Sequence, residues 1–170
     1  RFNKIGSKPK LSKENICEEI DKTINYLRAR LSKKIILEFE HSKDEIIAYI
    51  NKQLFSWSLE NIIKNSIDSI KDTGKVKVSI IEENEYLKIY ISDNGIGIKQ
   101  SIKNKIFNPG VTTKERGWGL GLSLSKRIIE EYHNGEIKLT ESVIGQGTKM
   151  LIKLNTVNGI RNQFGGFSKI

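Results

Sequence analysis

Asn61, Asn65 and Asp68 are spaced by four and three residues inside an apolar helical pattern. Helical geometry stacks these two amides and one carboxylate along a single stripe. Hard oxygens in register can hold a divalent cation such as Mg²⁺ together with phosphate oxygens, although a solvated helix face accounts for the same stripe taken alone. Asp93-Asn94-Gly95-Ile96-Gly97 closes a β-rich run. A carboxylate there can accept a hydrogen bond from an exocyclic amine, and the two glycines let backbone approach a flat ring closely. Ordinary turn chemistry also explains the bare D-x-G-x-G. Gly117-Trp118-Gly119-Leu120-Gly121-Leu122 runs straight into a helical pattern, which aims free N–H groups and a positive helix end at an anion.

The 170 residues suffice for one core-bearing domain with a short appendage. One cysteine, Cys17, excludes an internal disulfide, and with only 2 His it gives no Cys/His zinc cluster, so a reducing compartment is expected. No apolar run spans a bilayer, and the start, Arg1-Phe2-Asn3-Lys4, lacks Met and a signal core, which predicts a piece of something larger. The net charge is +9, of which the stretch from Lys99 to Arg127 carries seven basic residues against Glu115. A basic segment broken by Gly117, Gly119 and Gly121 suits polyphosphate capture at least as well as a duplex groove.

The elements that must position these residues follow from periodicity. Residues 1–11 read as a linker, Ser12–Asn15 as a helix start, and Ile16, Ile20, Ile24, Leu27 and Leu31 as an amphipathic stripe. Strands are predicted at Lys34–Glu40 and Ile46–Ile50, then a long helix over Asn51–Lys71. Two strands, Lys75–Glu82 and Tyr86–Ser92, form a hairpin, and Lys99–Phe107 a short helix before a loop to Gly119. A helix over Leu120–His133 stops at Asn134-Gly135, and a second hairpin pairs Glu136–Ser142 with Thr148–Leu154. This order fits an α/β two-layer sandwich with helices on one sheet face. Asn155–Ile170 reads as a flexible tail.

Taken in order, Asn61…Asn65, Asp93–Gly97, Phe107, Gly117–Gly121 and Gly145-Gln146-Gly147-Thr148 resemble the N, G1, F, G2 and G-x-G-T boxes of sensor histidine kinases. The match covers roughly residues 33–154, and the run from Pro109 to Leu124 (PGVTTKERGWGLGLSL) is especially similar to kinases of Bacteroidetes-type bacteria. The resemblance implies a Bergerat fold with a mixed, mostly antiparallel sheet, and a division into residues 1–30 as connector, 31–154 as ATP-binding domain and 155–170 as tail. It implies ATP and Mg²⁺ as ligands. Asn65 would coordinate the metal, Asn61 support the phosphates, and Asp93 bind the adenine amine, with Gly95 and Gly97 shaping the pocket and Thr148 closing it. Phe107 would anchor a mobile lid holding Thr112, Thr113, Lys114 and Arg116, and Gly117, Gly119, Leu120, Gly121 and Leu122 would hinge it and offer N–H groups to phosphate. Asn61, Lys114 and Arg116 would be the catalytic set.

The family's acceptor His lies in an H box that this chain lacks, since His41 follows a strand and His133 ends a helix. The implied partners are therefore a His-bearing dimerisation domain of the same parent and a downstream response regulator, with no nucleic acid. The implied parent is a homodimer in the inner membrane, with this domain in the cytoplasm. Asp68 stands where many such kinases carry a basic residue. The alternative is a hydrolytic switch of the gyrase and chaperone type. Those ATPases place Glu where this chain has Asn61, and Glu60 is about 100° around the helix, so slow hydrolysis is expected. An anti-sigma-type kinase or a basic DNA-binding module accounts less well for the lid phrase.

Overall fold

Asn15 opens the first helix, because its backbone is extended and its side-chain oxygen accepts the Cys17 N–H. The structure, a computed structural model, describes residues 9–112 and 118–159. The residues expected to start this helix instead form a short strand, β1 (Ser12–Asn15), and α1 runs from Ile16 to Arg28. The strand wins because β1 finds a backbone partner in β3 (Ile47–Ile50), pairing antiparallel from Ser12 opposite Ile50 to Asn15 opposite Ile47. Between them lies β2 (Ile35–His41), and after β3 comes α2 (Lys52–Asp68), whose N-cap Asn51 accepts the Leu54 N–H.

β4 (Gly74–Glu83) and β5 (Tyr86–Asp93) form the first hairpin, turning at Asn84 with φ 53°. A four-residue helix, α3 (Gln100–Lys103), is all that forms of the longer one expected before Phe107. The helix expected over Leu120–His133 is in two parts: α4 (Gly121–Arg127), then a π turn over Ile128–Tyr132. β6 (Glu136–Val143) and β7 (Gly147–Asn155) complete a five-stranded sheet in the order β2-β4-β5-β7-β6, antiparallel except for the β2/β4 pair. Helices α1, α2 and α4 lie on one face. Ile20, Ile24, Phe55, Ile62, Ile89 and Ile152 belong to the single core between the two layers.

The ends of the described chain are built into that core. Ile16, Ile20, Ile24 and Leu27 of α1 are buried, each worth at most about 1.5–3 kcal/mol. Asn155 closes β7, Thr156 bridges to Ala48, and Gly159 packs against the Glu85 carbonyl. The rest of the expected tail, 160–170, lies outside the described residues, as do residues 1–8 of the expected linker.

The π turn is built around His133. Its wider winding brings the His133 N–H and the His133 Nδ1 both to the Ile128 carbonyl, at 3.2 and 2.9 Å, while Nε2 accepts the Asn51 N–H at 3.1 Å. Nδ1 therefore donates and Nε2 accepts, which is the neutral imidazole. Burial pushes the His133 pKa below its usual 6.5, outweighing the backbone hydrogen bonds, which act the other way. The unfolded chain thus binds this proton at a higher pH than the folded one, and folding stability falls as pH drops through 6.5 towards the lower folded value. Urea midpoints between pH 7.5 and 5.5 check this: part of the wild-type loss should vanish in His133→Gln, and an unchanged slope would remove His133 as its source.

Candidate functional site

Three separate segments meet on one oxygen. Asp93, the last residue of β5, accepts on Oδ1 from the Gly95 N–H at 3.0 Å and the Thr148 N–H at 3.2 Å, and the Ser69 hydroxyl, whose single hydrogen is shared with the Ser66 carbonyl at 2.8 Å, lies 3.2 Å from the same oxygen. Oδ2 takes no hydrogen bond from a described residue, so one carboxylate oxygen organises the protein and the other is left to accept from a ligand. The wall around it is backbone pressed against backbone. A Cβ on Gly147, at φ 112°, would lie 1.9 Å from the Asp93 carbonyl, and one on Gly97, at φ 71°, would lie 2.3 Å from the Val143 carbonyl. Gly95 is pressed onto Ser69, where a Cβ would sit 1.8 Å from the hydroxyl oxygen. The Ser69 carbonyl then accepts the Ile96 N–H at 3.0 Å, tying the loop to the end of α2.

The other end of the site lies two turns back along α2. The Asn61 amide donates to Ser125 Oγ at 3.0 Å, and a Cβ on Gly121 would come within 2.5 Å of the Asn61 oxygen. Gly121 thus lets α4 start directly against Asn61. No side chain caps α4, so the first-turn N–H groups beyond its N-cap, Leu120, have no side-chain partner. Asn65 stands between the two ends, one turn from Asn61 and one from Ser69, whose N–H donates to the Asn65 carbonyl. Among the described residues no group of three His, Cys, Asp or Glu side chains converges. A hard divalent cation here would therefore rely on an amide oxygen, phosphate oxygens and water, which suits Mg²⁺ and its preference for keeping waters.

The predicted residues divide accordingly. Asp93, Gly95, Gly97 and Thr148 are brought together, as are Asn61 and Gly121. Phe107 packs against the core with the Lys126 ammonium 5.3 Å from its ring. Gly119, at φ 65°, is pressed against Gly110, and the Gly110 N–H donates to the Gly119 carbonyl at 3.0 Å, closing the neck of the expected lid. Thr112 is exposed, while Thr113, Lys114, Arg116 and Gly117 lie outside the described residues. The Leu122 side chain joins the core, leaving only its backbone for a ligand. Asp68 is exposed at the end of α2, apart from the Asp93 contacts. Ser69 belongs to the polar face of this helix in the sequence, four residues after Asn65, but the sequence pattern assigns it no role in the site.

The arrangement has known counterparts. The family described as histidine kinase-, DNA gyrase B-, and HSP90-like ATPase matches residues 52–158, and the chain belongs to it. Nitrogen regulation protein NtrY of Azorhizobium caulinodans is 32% identical over 154 residues, 86% of this chain and 20% of NtrY. Signal transduction histidine-protein kinase AtoS of Escherichia coli is 36% identical over 121 residues, 69% of this chain and 20% of AtoS. The catalytic domain of histidine kinase ThkA superposes with a TM-score of 0.78 at 26% identity, covering 86% of this chain and 96% of that domain. The chain thus spans about a fifth of the curated relatives and nearly all of a solved catalytic domain. It is an ATP-binding domain of this family that matches the catalytic domains of sensor histidine kinases, with the α/β sandwich expected of one.

Removing the Ser69 hydroxyl takes from Asp93 Oδ1 a donor that it shares with the Ser66 carbonyl. Ser69→Ala should cost nucleotide binding about 0.5–1.5 kcal/mol, and Gly95→Ala, which drives a methyl into Ser69, should cost more. Calorimetric titration of ADP into both variants reads the order. Full affinity in Gly95→Ala would show that the Asp93 cluster does not set the pocket.

Proposed function

We propose that this domain holds Mg-ATP for transfer of the γ-phosphoryl group to a His on a separate dimerisation domain of the same parent protein, with a response regulator receiving it downstream. The observation that carries this reading is the divided Asp93 carboxylate, with Oδ1 saturated by protein donors and Oδ2 left for an amine. Adenine offers an exocyclic amine there, and Gly95, Gly97 and Gly147 let the walls around the carboxylate close up where a Cβ would collide with Ser69, Val143 or Asp93. Asn65 is the proposed metal ligand and Asn61 its neighbour on the phosphate side. Bound Mg²⁺ would neutralise charge on the phosphate oxygens. Thr112, Thr113, Lys114 and Arg116 are the proposed lid contacts to phosphate, with Gly117, Gly119 and Gly121 as its hinge.

Two features support transfer over hydrolysis. Asn61 stands where a hydrolytic switch needs a carboxylate, and its amide is engaged with Ser125. Glu60 is ion-paired with Lys64 at 2.5 Å, one helical turn on. The acceptor is proposed to come from outside this chain, since His133 is buried with both ring nitrogens engaged and His41 sits at the end of β2 with Nδ1 beside the Lys43 carbonyl. No helix among the described residues is long and apolar enough to cross a membrane. A homodimeric parent in the inner membrane, presenting this domain to the cytoplasm, is the arrangement we propose.

Calorimetry with ATP should give tighter binding with Mg²⁺ than without, and equal affinity would count against Asn65. Asp93→Asn should lose about 1–3 kcal/mol, because its NH₂ can then face the adenine amine, donor against donor. If the unaltered chain binds ATP and GTP equally, Asp93 does not read the base. With radiolabelled ATP the chain alone should release little phosphate and label neither itself nor solvent. Adding the parent's dimerisation domain should place acid-labile label on that domain's His. Rapid phosphate release by the chain alone, abolished in Glu60→Ala, would move it to the hydrolytic branch.

A further inference from the structure

β6 contains an irregularity that redirects one side chain. Ile137 pairs with Ile152 and Leu139 with Met150, but the register then shifts, so that Glu141 lies opposite Lys149 and Ser142 opposite Thr148. Ile137 and Leu139 face the core, and strict alternation would send Glu141 inward next and Ser142 out. The extra residue reverses this, as a β-bulge does. Glu141 is exposed, and Ser142 is buried at 5% exposure on the same face as Thr148.

There the Ser142 hydroxyl meets three groups. The Ile98 N–H donates to it at 2.8 Å, the Gly147 carbonyl lies at 3.2 Å, and the Thr148 hydroxyl at 3.0 Å. A hydroxyl has one hydrogen and two lone pairs. Every valence is used when Ser142 donates to the Gly147 carbonyl and accepts from both Ile98 and Thr148. The opposite sense, with Ser142 donating to Thr148, leaves the Gly147 carbonyl without this donor. The saturated arrangement commits the Thr148 hydrogen to Ser142 and leaves the Thr148 oxygen with lone pairs only, beside the carboxylate that the Thr148 N–H also holds. The Ser142 carbonyl meanwhile accepts from Lys103 Nζ at 2.5 Å, joining the last residue of α3 to the same point.

We infer that Ser142 is a positioning residue for base recognition: it fixes the Thr148 hydroxyl as an acceptor, so that this end of the pocket selects a ring bearing an amine over one bearing a carbonyl. This rests on the nucleotide reading of the site. Thr148 is the group that touches the base, and Ser142 acts through it.

The test is a double-mutant cycle on the whole chain, reading ADP and GDP affinity by calorimetry for the unaltered protein, Ser142→Ala, Thr148→Val and the pair. Ser142→Ala should weaken ADP by about threefold to tenfold, the scale of one hydrogen bond, and leave GDP unchanged, narrowing the preference. In the Thr148→Val background the same change should have no further effect. Equal weakening of ADP and GDP, or multiplying effects in the pair, would overturn the inference by reducing Ser142 to general support of the fold. Should Ser142→Ala not fold, Thr148→Val alone reads the same hydroxyl: a narrowed preference supports the assignment, and an unchanged one overturns it. No ADP binding by the unaltered chain would sink the nucleotide reading itself, an outcome separate from either.

Discussion

A single carboxylate oxygen, Asp93 Oδ1, holds the site in register. The groups that meet there come from the end of α2, from the loop after β5 and from the start of β7, with the Ser69 hydroxyl shared between this oxygen and the Ser66 carbonyl. A charged acceptor strengthens each bond relative to a neutral one, and convergence on one atom fixes angles as well as distances. The glycines around it follow from this constraint, because backbones drawn so close to one oxygen leave no space for a Cβ at Gly95 or Gly147.

From that node α2 acts as a ruler. Asn61, Asn65 and Ser69 recur every four residues, and eight residues of helix at 1.5 Å each separate the two ends of the site by about 12 Å. The first end abuts Gly121 of α4 and the last abuts Asp93. The helix is held lengthwise too, since the His133 imidazole takes the Asn51 N–H at its start. A helix pinned at both ends cannot slide, so the spacing of Asn61, Asn65 and Ser69 is set by the backbone and not by side-chain rotamers.

The sequence disclosed the strands, the long α2 and the ordered glycine motifs because those depend on local period and turn chemistry. Its failures share a physical origin in contacts distant along the chain. Ser12–Asn15 looked like a helix start because its preference for β3, over thirty residues away, is invisible locally. The π turn depends on His133 reaching both Ile128 and Asn51. Ser142 was hidden by parity, since an even alternation through β6 assigns it to solvent and only the bulge turns it inward. Ser69 was legible in principle, as it extends the Asn61/Asn65 stripe by one more turn. Asp68, at i+7 from Asn61, carries the carboxylate on the same face and so gives the stronger chemical signal.

The pairing of Gly110 with Gly119 bears on how such a domain can vary. The hydrogen bond between them, with Gly119 packed on the Gly110 backbone, holds side by side two residues that stand nine apart in the chain. For a flexible loop with fixed feet, each doubling of length costs only about 0.6 kcal/mol of closure entropy. Insertions and deletions between these glycines are therefore thermodynamically cheap and leave the walls built on Asp93 and Asn61 where they are. Divergence in length and composition should therefore accumulate between these glycines far faster than at them.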